Sequence, residues 1–209
     1  MKPVFSRLSA AMVGLSLLLL AMPASAHHAM GGRLPNNFFE GFLAGLAHPV
    51  IGLDHFAFVV AVGLLASLKR QGFWVPVAFV GAALAGTGLH LLKLDLPLAE
   101  IFVAVSVLLM GSGLALPKSP NLGLMVTISA IAGVFHGYAY GESIVGAEST
   151  ALVAYLLGFT AIQCAIALGG FKLAGLARHL AEQTPVSLRF AGFTICGVGA
   201  TFLASHLGL

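Results

Sequence analysis

The chain has 209 residues, 59% of them hydrophobic and 8% charged, with a mean hydropathy of +1.01. A soluble domain carries about a quarter of its residues as charges, so this composition excludes an ordinary water-soluble fold and indicates an integral membrane protein. The net charge of +3 arises from ten basic and seven acidic side chains, so few that it says nothing about nucleic acid, and no nucleic-acid partner is expected.

Residues 1–26 read as a secretory signal peptide. Lys2 and Arg7 form a positive n-region, LSAAMVGLSLLLLAM an apolar core, and Ala24-Ser25-Ala26 a small-residue cleavage site. An uncleaved first transmembrane helix is the alternative. After cleavage, residues 27–209 form one transmembrane helix-bundle domain that begins His27-His28-Ala29-Met30 on the exported side. The free amine with His27 and His28 is a candidate metal contact, set against a disordered terminus.

Six apolar stretches follow, near 42–67, 73–92, 97–116, 121–141, 149–170 and 188–207, each close to the 20 or so residues a span requires. Residues 35–41, PNNFFEG, read as an interfacial lead-in. The fold class is therefore an all-α membrane protein of about six transmembrane helices, with room for two inverted three-helix repeats. With the N-terminus exported, Lys69, Arg70, Lys118, Lys172, Arg178 and Arg189 fall inside, against Arg33 and Lys93 outside. That bias fits a bacterial cytoplasmic (inner) membrane with a periplasmic mature N-terminus. The acids divide the other way: Glu40, Asp95, Glu100, Glu142 and Glu148 lie at the outer face, where they would concentrate cations. Cys164 and Cys196 fall within spans and read as packing residues rather than a disulfide framework.

Ionisable residues inside hydrocarbon are costly and mark function by default. The first span contains HPVIGLDH, with His48 in its outer part and Asp54-His55 near its middle; the fourth contains FHGYAYGE, with His136 in its outer half and Glu142 at the rim. His90 near the end of the second span and Glu100 at the start of the third fall on the same side. Neutral imidazoles with carboxylates suit a borderline divalent metal such as nickel, cobalt, copper or zinc. His48 and His55 would lie about 10 Å apart on an intact helix, too far to share one ion. Either the helix opens between them, at Pro49 or Gly52, or they mark successive stations. Gly137 is a second place where an opened backbone would be useful. The spacing His48-x5-Asp54 is echoed by His136-x5-Glu142.

HPVIGLDHFAFVVAVGLL resembles the H-P-x-x-G-x-D-H signature of the HupE/UreJ family of nickel/cobalt permeases, and FHGYAYGES is similar to that family's F-H-G-x-A-x-G-x-E. In place of the final x-E, this chain reads Glu142-Ser143 directly after Gly141. The resemblance implies secondary uptake of Ni²⁺, or Co²⁺, with His48, Asp54, His55, His136 and Glu142 as the metal site. His27, His28, His90 and Glu100 would be entrance or N-terminal contacts. It implies no prosthetic group and no enzymatic step; the partners are the ion and the bilayer. Other readings of the same residues are a copper or zinc transporter, a haem protein and a membrane metalloenzyme, though neither a c-type haem attachment motif nor H-E-x-x-H is present. No nucleotide-binding loop or ATPase domain is visible. A potential near −100 mV would itself give an entering divalent ion about 4.6 kcal/mol, roughly a thousandfold accumulation.

Overall fold

The computed structural model describes residues 33–179 and 186–209. The expected signal peptide, His27 and His28 lie outside them. The described residues form seven helices: α1 (Phe38–Ile51), α2 (Leu53–Ala66), α3 (Trp74–Leu91), α4 (Ala99–Ala115), α5 (Leu122–Glu142), α6 (Ser149–His179) and α7 (Val186–Leu207). The expected all-α architecture holds. Four of these helices are long and apolar enough to cross a membrane. The α1–α2 pair makes a fifth span if taken together, and α4, at 17 residues, is a shorter apolar helix.

The first apolar stretch is two helices rather than one, and this is the main departure from the expected spans. Asn37 starts α1 by accepting the Glu40 N–H at 2.9 Å, which places the helix start four residues earlier than the hydrophobic pattern suggested. Pro49 removes the N–H that would bond the Gly45 carbonyl, and two residues beyond it α1 ends. Gly52 is extended (φ −71°, ψ 101°), and the two axes meet at 81°. At its other end α2 is buried along an unbroken run from Ala61 to Ala66. It packs against α3, α4, α6 and α7. A helix apolar on every side belongs at the centre of a bundle, and α2 is that helix.

Around this post, α1 lies along α6, α3 along α5, and α4 along α7. Small residues set the spacing of these pairs. A Cβ on Gly45 would run into the Tyr155 carbonyl oxygen, and one on Gly137 into that of Ala83. Gly137 is thus a close-packing residue inside an unbroken α5, not an opening of its backbone. The sixth helix also outruns its expected end near residue 170 and continues to His179, since no proline interrupts it. Outward-facing Phe39, Leu43, Val77, Ile131, Val153 and Leu157 are all at least 44% exposed, an apolar exterior suited to lipid. Cys164 and Cys196 are free thiols.

Candidate metal site

The 81° turn at Gly52 changes what the first motif can do. It brings the His48 and His55 rings to 6.1 Å between centroids, far closer than an intact helix allows. With a metal–nitrogen bond of about 2.1 Å, two imidazoles on one ion have centroids at most about 6.4 Å apart. The objection to a shared ion therefore falls.

Three helices bring the buried polar groups together. His48 from α1, Asp54 and His55 from α2 and His136 from α5 are each no more than 2% exposed. Nδ1 of His55 lies 2.8 Å from Nδ1 of His136, and Nε2 of His136 lies 2.9 Å from Ser106 Oγ on α4. Nδ1 of His48 lies 2.9 Å from Ser143 Oγ and 3.0 Å from Tyr155 Oη. The Tyr140 ring packs against both His55 (4.5 Å) and His48 (5.1 Å), and Phe58 covers His136 at 4.3 Å.

Asp54 stands in the first turn of α2, where the exposed N–H groups of a helix start favour a negative charge. Its Oδ1 accepts the His55 N–H at 2.8 Å. Its Oδ2 is buried and has no hydrogen-bond partner among the described residues, and the same holds for Tyr140 Oη. Among the described residues, no group of three or more His, Cys, Asp or Glu side chains is arranged so that it could hold a metal ion.

The remaining expected residues lie elsewhere. His90 packs on Tyr138 and hydrogen-bonds its carbonyl at 2.9 Å through Nδ1. Glu100 has an oxygen 3.7 Å from Nε2 of His206. Glu142 is exposed on the last turn of α5; it is the next residue, Ser143, whose hydroxyl reaches His48. The echo between the two motifs therefore stops short of spatial equivalence, since Asp54 is buried and Glu142 is not. Glu40, counted among the rim acids, is held by Arg33 at 3.2 Å.

Sequence reasoning missed Ser106, Ser143 and Tyr155 as partners of the histidines. Ser106 and Tyr155 are lone hydroxyls within the apolar runs VAVSVLL and ALVAYLL, and Ser143 closes GYAYGES. That is a weak signal, because membrane helices routinely satisfy Ser on their own backbone.

The family model described as "HupE / UreJ protein" matches residues 15–202. A curated relative, "Protein HupE" of Rhizobium leguminosarum bv. viciae, is 33% identical over 190 residues, covering 90% of this chain and 95% of its own. No solved structure matches. The matched region contains both histidine motifs and every helix up to the last turn of α7, and the chain belongs to the HupE/UreJ family.

Proposed function

We propose that this protein is a secondary permease that takes up a divalent transition-metal ion, nickel or cobalt, across the bacterial inner membrane. The ion's binding groups are drawn from His48, Asp54, His55 and His136. Glu142, His90 and Glu100 act nearer the entrance, where exposed carboxylates raise the local cation concentration. Cleavage after Ala26 leaves both termini on the periplasmic side.

The observation that supports this reading is Asp54 Oδ2, a buried carboxylate oxygen with no hydrogen-bond partner among the described residues, next in the chain to His55, whose ring lies 6.1 Å from that of His48. A buried acceptor left unsatisfied costs about 1–3 kcal/mol, more when charged. A divalent cation removes that cost and takes the imidazoles as borderline ligands. Membership in a family of metal permeases supports transport over catalysis.

Uptake into proteoliposomes at an imposed inside-negative potential, measured for Ni²⁺, Co²⁺, Cu²⁺ and Zn²⁺ in turn, tests the proposal. Saturable, potential-driven uptake preferring Ni²⁺ or Co²⁺ is expected. Equal leak in protein-free vesicles would contradict it, and a preference for Cu²⁺ or Zn²⁺ would retain the transporter but change its cargo. Reporter fusions at Leu209 are expected to be active only when the fused domain is periplasmic.

A further inference from the structure

Outside the histidine cluster and its tyrosines, the buried polar side chains among the described residues are Ser67, Thr87, Ser129 and Gln163. Two of these are tied to backbone. Ser67 donates to the Leu64 carbonyl at 2.7 Å, and Thr87 Oγ1 lies 3.0 and 2.7 Å from the Ala83 and Gly137 carbonyls. The other two are left incomplete. Gln163 gives its side-chain N–H to the Phe159 carbonyl at 3.1 Å, but its Oε1 is buried without a hydrogen-bond partner. Ser129 Oγ is buried and has none either. Both side chains are 0% exposed.

A buried polar atom without a partner is uncommon in a native protein and calls for a reason, such as a place for an ion or a water. The positions of these two suggest one. Gln163 follows Tyr155, a neighbour of His48, by eight residues on α6, about 12 Å of helix rise. Ser129 precedes His136 by seven residues on α5, about 10 Å. The end of α5 meets the start of α6 where Tyr155 Oη donates to the Tyr140 carbonyl. Moving forward on α6 and backward on α5 therefore leads the same way, from the rim of Glu142 toward the end that bears Lys172. Thr160 Oγ1, between Tyr155 and Gln163 on α6, is a third buried oxygen without a partner. Val62, Leu65, Met110 and Met125 fill the rest of this half with hydrocarbon, which alone would be a barrier to a divalent ion.

We infer that Ser129 and Gln163 mark the exit route: neutral oxygen contacts that the metal ion meets after it leaves the histidine cluster for the cytoplasm. The inference rests on the proposed metal-uptake reading and adds to it the way out. An amide carbonyl and a hydroxyl can replace part of an ion's hydration shell, as carbonyl oxygens do in channel filters. They offer neither charge nor imidazole nitrogen, so they hold a borderline divalent ion less tightly than the cluster does. The ion passes them and is released.

The test separates binding from passage in purified full-length protein, with Ni²⁺ as the probe. Equilibrium binding is read in lipid nanodiscs and the initial rate of potential-driven uptake in proteoliposomes. Gln163→Met keeps the length of the side chain and removes its carbonyl. It is expected to leave the nickel Kd within twofold of wild type and to slow uptake by about tenfold, the scale of one lost polar partner. Its melting temperature is expected to rise, because a buried acceptor without a partner is gone. Ser129→Ala, a change too small to disturb insertion, is expected to slow uptake about threefold at unchanged Kd. A wild-type uptake rate in either variant would overturn the inference. So would a weakened Kd in Gln163→Met, which would place Gln163 in the binding cluster, or slower uptake with a lowered melting temperature, which would make it structural. Wild-type protein that neither binds nor takes up nickel would instead sink the metal-uptake reading.

Discussion

The buried knot around His55 and the ends of the surrounding helices carry the same residue types but satisfy them differently. At the helix ends, Glu40 has Arg33, Glu100 has His206, His90 has the Tyr138 carbonyl, and Glu142 is exposed. In the knot, the histidines are tied to serines, tyrosines and one another, and a carboxylate oxygen is left over. Residue type alone does not distinguish a binding site from a solvated rim. Full burial does: Asp54 is 0% exposed, whereas the Glu100 side chain is 40% exposed.

The contrast predicts unequal mutational effects. Asp54→Asn keeps size and the oxygen that accepts from His55 N–H but removes the charge. Nickel uptake is expected to fall by about a hundredfold or more, with insertion and helical circular dichroism unchanged. His48→Gln and His55→Gln each remove one imidazole and are expected to weaken apparent affinity by at least the 10–100-fold typical of lesser, indirect partners. Near-normal uptake by a well-expressed His48→Gln protein would separate the two motif histidines and return the site to successive stations.

External pH offers a smaller lever. Imidazole binds metal only when neutral, and its ordinary pKa is about 6.5. Metal binding therefore displaces protons, and affinity weakens as pH falls through the range in which the site's imidazoles take up protons. Lowering external pH from about 7.5 to 5.5 at clamped potential is expected to raise the half-saturating nickel concentration. A half-saturation unchanged across that interval would argue against histidine ligation. The smallest effects belong to the rim: His90→Ala and Glu100→Gln are expected to change apparent affinity by about threefold or less, more at low ionic strength than at high, as for charges that act at a distance. Loss of transport in either would erase the distinction between rim and knot.

Hydropathy and punctuation made the helices legible, since the bilayer demands long apolar runs and internally bonded backbone. The site was legible as a set of residues for a related reason: nothing but function commonly keeps His48, Asp54, His55 and His136 in such runs. The 81° turn was not legible in magnitude. Pro49 and Gly52 permit a break, but the angle follows from how α1 seats on α6 while α2 fills the centre. The same long-range packing hid the partners. Ser106 lies 30 residues from His136, and Tyr155 lies 107 from His48; only the folded bundle brings each pair together. Glu142 drew attention because it is charged, while the neutral Ser143 beside it makes the contact.

Equilibrium binding of radioactive nickel to wild-type and Asp54→Asn protein, purified in lipid nanodiscs and matched for helical content, isolates the buried knot from transport kinetics and from the rim. One ion per wild-type chain, lost or weakened by two orders of magnitude in Asp54→Asn, is the expected result. One ion per chain at unchanged affinity in both proteins would mean that the unanswered carboxylate is structural and that the cargo binds elsewhere.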